Sequence, residues 1–403
     1  MTHCRVRSIL MIILLTMIIA GVSAEPSSVR LTAPDAGGSD IITKTNSFTA
    51  GSASPVQTYD ADHSGFIEKG EAVTALTDYL FNHTLSRADA VTVVTAYLFP
   101  AGGLPICESC NISPPSQPVR LIFIHHSSGE NWLKDDNGGL GSALRDNNYF
   151  VSDTNYGWGP APDPGSEPVG SLTDIGHWWL WFRGPKSAEI MDDVYAESDQ
   201  HASYARLSDD PGGENRIVMF KSCFPNSELK GTLNDPVPPI DTNPLIGEGY
   251  GSDYHTIANA KGIYIDLLPY FQQHQDTLFV VVTAPPVSDP IYAANARAFN
   301  QWLVNDWLKN YPNHNVAVFD FYNVLTTNGG SSDVNDLGRE SGNHHRWWQN
   351  SIQHQVDTSG GSHDTTAYAQ SEGDDHPSKA GNEKAAAEFI PLLNLAYHRW
   401  QGE

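Results

Sequence analysis

Four short, predominantly apolar runs constrain this chain more than any other feature: Val119–Ile124, Ile217–Phe220, Leu278–Thr283 and Val316–Phe321. Each is too short for a stable buried helix. None alternates cleanly between apolar and polar residues, which points to strands covered on both faces. Tyr149–Ser152 is a further strand-like stretch, and helical patterns lie between and after the runs, clearest at Ala293–Leu308 and Lys379–Trp400. Alternating strands and helices predict an α/β domain with a parallel sheet. In such a sheet the carboxyl ends of the strands gather at one edge, where ligands bind. The residues just beyond each run are therefore where chemistry is expected.

The rest of the chain divides by composition. Residues 1–24 place Arg5 and Arg7 before an apolar run, Ile9 to Ala20, and end in Val22-Ser23-Ala24. This is the pattern of a secretory signal cleaved after Ala24, and the run is short for a membrane anchor. No other stretch has the length and apolarity to span a bilayer, so the mature chain is expected outside the cell or at its surface. Residues 25–57 are rich in Ser, Thr, Gly, Ala and Pro and read as a flexible leader. Residues 58–99 form a patterned unit, residues 100–118 (PAGGLPICESCNISPPSQP) a linker, and residues 119–403 the α/β domain.

The net charge is −24, and loss of Arg5 and Arg7 with the signal makes it two units more negative. Such a surface repels phosphate backbones and excludes nucleic acid as an expected partner. Cys107 and Cys110 form half of a zinc-type spacing with no second half, and in an extracellular chain they read as a local disulfide. Cys223 stands alone. Asn82 and Asn111 begin glycosylation sequons.

Within residues 58–99, Asp60-Ala-Asp62-His-Ser64-Gly65-Phe66-Ile-Glu68-Lys-Gly-Glu71 fits the EF-hand loop. Asp60, Asp62, Ser64 and Glu68 fall at oxygen-donor positions, Phe66 offers its carbonyl, and Glu71 closes the loop as a bidentate ligand. Gly65 sits where the chain must turn sharply. Hard calcium wants several converging oxygens, and this spacing supplies them, so Ca2+ is the expected cofactor. A helix follows with Val73, Leu76, Tyr79 and Leu80 at helical spacing, and a second starts at Ser86 with Asp89 as cap partner. Its apolar face includes Val91, Val94 and Leu98. The small all-α unit resembles dockerin-like EF-hand modules of secreted proteins. Those carry two loops and bind cohesins. This unit has one loop, so a cohesin-like or cell-surface partner is implied by the resemblance alone.

The first apolar run ends in Phe123-Ile-His125-His126-Ser127-Ser128-Gly129, which delivers polar side chains to the sheet edge. Far downstream, Gly373-Asp374-Asp375-His376-Pro377-Ser378 opens the last helix. A serine near one end of a domain and an acid–histidine pair near the other fit nucleophilic catalysis if the fold brings them together.

Here the chain resembles the SGNH (GDSL-like) hydrolases over roughly residues 119–396. Ser127 stands at the family's nucleophile block, with His125-His126 in place of Gly-Asp. Asn155-Tyr-Gly157-Trp-Gly159 follows a strand where the family's glycine donates a backbone N–H. Phe220-Lys-Ser-Cys-Phe-Pro-Asn226 stands at the Gly-x-Asn block. Asp374 or Asp375 with His376 stands at the Asp-x-x-His block, although Gly373 occupies the family's acid position. The resemblance implies a flavodoxin-like three-layer fold and acyl transfer. Ser127 is the implied nucleophile and His376 the base, with Asp374 or Asp375 as its support. Asn226 and the N–H groups of Ser127 and Gly157 or Gly159 are implied oxyanion donors. The implied substrate is an ester, including acyl groups on polysaccharide.

Other readings compete. Ser128 stands beside Ser127 as an alternative nucleophile, and His125 and His126 are of metal-ligating type. Trp178, Trp179 and Trp181, with Trp347 and Trp348, suit sugar rings, a lid or an ordinary core. A non-catalytic carbohydrate- or surface-binding protein with the calcium module is the alternative to the esterase. Calcium titrated into the full chain is expected to raise its melting temperature, and Asp60→Ala combined with Glu71→Ala to remove that response. An unchanged titration in the double variant refutes the loop assignment.

Overall fold

Buried strands must find backbone partners for every N–H and C=O, because no water reaches them. The computed structural model, which describes residues 58–59, 61, 69–87, 89–90, 93, 111–326, 345–348, 351–354 and 365–403, meets that demand with a five-stranded parallel sheet. Its strands are β1 (Val119–Ile124), β2 (Tyr149–Thr154), β3 (Ile217–Lys221), β4 (Leu278–Val282) and β5 (Val316–Phe319), in spatial order β2-β1-β3-β4-β5. β1 lies between β2 and β3, with Ile124 paired to Thr154 on one side and Phe220 on the other.

Alternate residues of these strands face two separate cores. Leu121, Phe123, Val151, Ile217, Met219, Val280 and Phe319 point to one side. Ile122, Ile124, Val218, Phe220, Phe279, Val281 and Val318 point to the other. Burial on both faces explains why the strands read as continuous apolar runs.

The small unit contributes α1 (Lys69–Thr77). The first core is covered by α2 (Ser127–Leu133) and α3 (Leu140–Asp146). The second is covered by α4 (Trp178–Phe182), α5 (Ser187–Ala196), α6 (Ile257–Gln273) and α7 (Ala293–Asn305). The chain then returns to the first face through α8 (Phe321–Thr326) and α9 (Lys379–Gln401). It leaves β1 for β2 on one side and comes back to β3 on the other. The loops after β1 and β3 therefore diverge and leave a crevice between them.

Trp132 of α2 ties the first core together. Its ring stacks on Phe319 and Phe321, at 5.6 and 4.6 Å between centroids, and meets Phe389 of α9 edge-on at 5.3 Å. Ser378 caps α9, and Gly402 ends it in the left-handed conformation that glycine adopts without strain.

The expected signal, leader and most of the linker lie outside the described residues. So do the loop ligands Asp60, Asp62, Ser64, Phe66 and Glu68, the Cys107–Cys110 pair and the second-helix positions Val91, Val94 and Leu98. Among the described residues no helix is long and apolar enough to cross a membrane. Glu71 is described: its Oε1 accepts the Ala61 N–H at 2.6 Å, so its carboxylate reaches back across the loop. Ser86 and Asp89 make the expected cap, with Ser86 Oγ 2.7 Å from Asp89 Oδ2. The packing face of α1 differs from the expected one. Ala72 and Ala75, not Val73, are buried with Val93, while Val73 is 45% exposed. Two alanines permit closer approach than the branched residues allow.

Trp132→Ala is expected to cost about 3–5 kcal/mol, the range for emptying a large buried aromatic site. The drop in the urea midpoint of unfolding measures it.

Candidate active site

The site begins where β1 stops. His126 is extended (φ −122°, ψ −156°) and caps α2, its carbonyl accepting the Gly129 and Glu130 N–H groups at 2.9 Å each. The turn is tight: a Cβ on Gly129 would lie 2.3 Å from His125 Cβ, so only glycine lets α2 seat against the strand end. Ser127 is thereby the first residue of α2, held at the crevice.

The opposing groups come from a hairpin of β8 (Ala369–Ser371) and β9 (Asp374–Pro377), with β6 (His345–Trp348) and β7 (Ser351–His354) pairing earlier in the chain. Gly373 makes the β8–β9 turn at φ 81°. Side chains two apart on a strand share a face. Asp374 and His376 therefore point the same way, and Asp375 points the other way.

Ser127 Oγ lies 2.7 Å from His376 Nε2, and His376 Nδ1 lies 2.6 Å from Asp374 Oδ1. Nδ1 donates to the carboxylate, so Nε2 is the acceptor for the serine hydroxyl. The hydrogen bonds from the His376 ring and backbone hold the Asp374 carboxyl below its usual range. The Phe224 ring packs edge-on against His376 at 4.8 Å. Of the two candidate acids, strand alternation brings Asp374 to the imidazole. Asp375 Oδ1 is buried and has no hydrogen-bond partner among the described residues.

The other predicted positions fall as follows. Ser128 is fully buried, its Oγ 2.9 Å from Cys223 Sγ, and the same sulfur is 3.8 Å from Ser127 Oγ. Asn226 lies in the one-turn helix Phe224–Ser227 beyond β3. It accepts from the Ile175 N–H at 2.9 Å and donates to Asp174 Oδ1 at 2.6 Å. The Gly157 N–H donates to Ser171 Oγ at 3.0 Å, with the glycine at φ 78°.

The aromatic insertion forms core. Trp178 and Trp181 are fully buried, and Trp181 stacks on Trp158 at 5.9 Å. They present no open face to a sugar ring. Tyr156 instead is 61% exposed and stacks at 3.9 Å on His126, the residue before Ser127.

Three features were not anticipated from the sequence: the Asp153 partner of His125, the burial of Lys221 and the grip of Asp174 on Asn226. His125, fully buried, bonds Asp153 Oδ2 through Nε2 and the His126 carbonyl through Nδ1, both at 2.9 Å. Burial alone would raise the Asp153 carboxyl, but bonds from His125, the His201 N–H and Tyr204 outweigh it and hold the group below its usual range. The one signal for this pair is an aspartate inside the buried strand β2, aligned with Phe123 by register. Lys221 is the second: wholly buried, it donates to the Ser222 carbonyl, and burial pushes its ammonium down to about 8. Asp174, which engages Asn226, is the third. Among the described residues no cluster of three His, Cys, Asp or Glu side chains is arranged to hold a metal ion.

No protein-family model, curated protein or solved structure matches this chain. The geometry therefore carries the functional argument by itself.

Burial pushes the His126 imidazole down to about 4, a shift only partly offset by its bond to the Gly170 carbonyl. Between that value and its ordinary 6.5, the unfolded chain binds the proton and the folded one resists it. Stability is therefore full above about pH 6.5 and falls as the pH drops toward 4. Burial lowers His177 and His255 as well, and they act in the same direction. His126→Gln is expected to remove on the order of 2 kcal/mol of the loss between pH 7 and 4.5. Urea midpoints at the two pH values, compared with the unsubstituted protein, measure it.

Proposed function

We propose that this protein is a secreted serine esterase of the SGNH type that carries a calcium-binding EF-hand module. One observation carries the reading: the hydrogen-bonded chain from Ser127 Oγ through His376 to Asp374, at 2.7 and 2.6 Å, at the carboxyl edge of a parallel sheet. The strand order is also that of flavodoxin-like folds, in which the crevice at the reversal point takes the ligand.

The chemistry follows from the atoms. Ser127 Oγ attacks an ester carbonyl as its proton passes to His376 Nε2. Asp374 holds the ring with Nδ1–H inward and stabilises the imidazolium. The tetrahedral oxyanion collapses, His376 returns the proton to the leaving alcohol, and water repeats the sequence on the acyl-enzyme. The Ser127 N–H and Asn226 are the oxyanion donors in this reading. Tyr156, exposed beside His126, offers an apolar face to the alcohol part of the substrate, which suits an acylated sugar.

In the small unit, Glu71 with Asp60, Asp62, Ser64, Glu68 and the Phe66 carbonyl would hold Ca2+. The backward reach of the Glu71 carboxylate to the Ala61 N–H is compatible with a closing ligand. Bound calcium supplies charge neutralisation and rigidity to that loop.

The second reading, a non-catalytic carbohydrate- or surface-binding protein, draws on the engagement of Asn226 by Asp174 and of the Gly157 N–H by Ser171. It takes both as donors withdrawn from catalysis. Hydrolysis of p-nitrophenyl acetate separates the two. The esterase is expected to turn it over, and Ser127→Ala to lower the rate at least about a thousandfold with an unchanged melting temperature. A folded protein without turnover that is retained on polysaccharide supports the binder.

A further inference from the structure

Asn226 is gripped at both ends of its carboxamide. A carboxamide has one acceptor oxygen and two N–H donors. The oxygen takes the Ile175 N–H at 2.9 Å, and one N–H goes to Asp174 Oδ1 at 2.6 Å. A flipped amide would set its oxygen against the carboxylate and its NH2 against the Ile175 N–H, two repulsive contacts in place of two attractive ones. Asn226 is 1% exposed, so water cannot relieve them. The amide therefore has one orientation, and its second N–H has no acceptor among the described residues.

The grip is itself braced. Asp174 Oδ2 accepts the Tyr250 N–H at 3.1 Å, and the Asp174 N–H donates to His177 Nδ1 at 3.1 Å. The Gly247 N–H bonds the Gly176 carbonyl at 3.0 Å. A Cβ on Gly176 would lie 2.1 Å from the Leu245 carbonyl oxygen, so glycine alone lets the two segments close together. The helix turn bearing Asn226 also adjoins the nucleophile. Cys223, whose carbonyl accepts the Asn226 N–H at 3.0 Å, has its sulfur 3.8 Å from Ser127 Oγ.

We infer that Asp174 is a positioning residue that locks the Asn226 carboxamide so that its second N–H faces the oxyanion formed on the carbonyl that Ser127 attacks. The inference rests on the acyl-transfer reading. As the Ser127 Oγ–carbon bond forms, the carbonyl π pair moves onto oxygen and the hydroxyl proton moves to His376. Asn226 donates a hydrogen bond to that oxygen and undergoes no covalent change. Without Asp174 the amide swings or flips, and the donor is lost for part of the time.

The test is a double-mutant cycle on p-nitrophenyl acetate with the full chain. Removing an oxyanion donor costs about 10²–10³ in kcat, which is the fall expected for Asn226→Ala. Asp174→Ala is expected to lower kcat about 10- to 100-fold with KM within about twofold, because it removes orientation and leaves the donor. In the Asn226→Ala background Asp174→Ala should add nothing. Asp174→Asn, which keeps an acceptor oxygen, should recover part of the loss. It also carries the cycle if the alanine variant fails to fold. An unchanged kcat, a rise in KM alone, or multiplying losses in the double variant overturn the inference. If the unsubstituted protein and Ser127→Ala hydrolyse the ester at the same rate, the acyl-transfer reading fails and takes the inference with it. An active protein silenced by Ser127→Ala but indifferent to Asp174 defeats only the positioning role.

Discussion

Water never reaches the backbone of β1. The strand is buried on both faces, and its N–H and C=O groups find partners in β2 and β3 and in the residues just before them, Asn148 and Arg216. That requirement sets the architecture, because a strand flanked on both sides must send the chain out one way and bring it back the other. The reversal leaves the crevice between the ends of β1 and β3. Ser127 follows the first of these ends and Cys223 the second, and the two side chains meet there. Polar side chains gather beyond the ends of β1 and β3, as His125, His126 and Ser127 after the one and Lys221 to Cys223 at the other.

What lies beneath Ser127 is a buried polar pair. His125 and Asp153 are both fully buried, and the pair is completed by the His201 N–H, Tyr204 and the His126 carbonyl. Polar groups are buried at little cost only when their hydrogen-bonding capacity is satisfied. Here every described contact of the two groups has a partner. The bond to the His126 carbonyl also fixes the peptide that starts α2, which couples the pair to the position of Ser127. Lys221, buried at the end of β3, places an ammonium group in the surroundings of the site.

Some of this was legible in the linear chain, and the physical reasons are specific. Continuous apolar runs without alternation require burial on both faces, so the strands and the α/β class were readable. β2 and β3 each extend slightly beyond their apolar stretches, because the sheet's backbone pairing continues after hydrophobicity ends. Ser127, His376 and the acid pair before it stood out as polar groups at strand and helix starts. The tryptophans of the insertion did not declare their role. Trp178 and Trp181 fill the second core, and aromatic residues look the same in a core as in a binding face until packing is known. The packing face of α1 was misjudged for a related reason: alanines allow closer approach than their hydropathy suggests.

The chain by itself determined the periodicities, the acidic surface, the oxygen-donor spacing of residues 60–71 and the inventory of chemically able side chains. These depend on neighbours close in sequence. Tertiary structure decided which of them meet. The choice of Asp374 over Asp375 came from the alternation of a short hairpin strand. The pairing of His125 with Asp153 came from β-sheet register, and the hold of Asp174 on Asn226 from two segments folding over one another. The first needs only the local alternation of a strand, but the other two join residues 28 and 52 positions apart, and only the packed fold supplies that proximity.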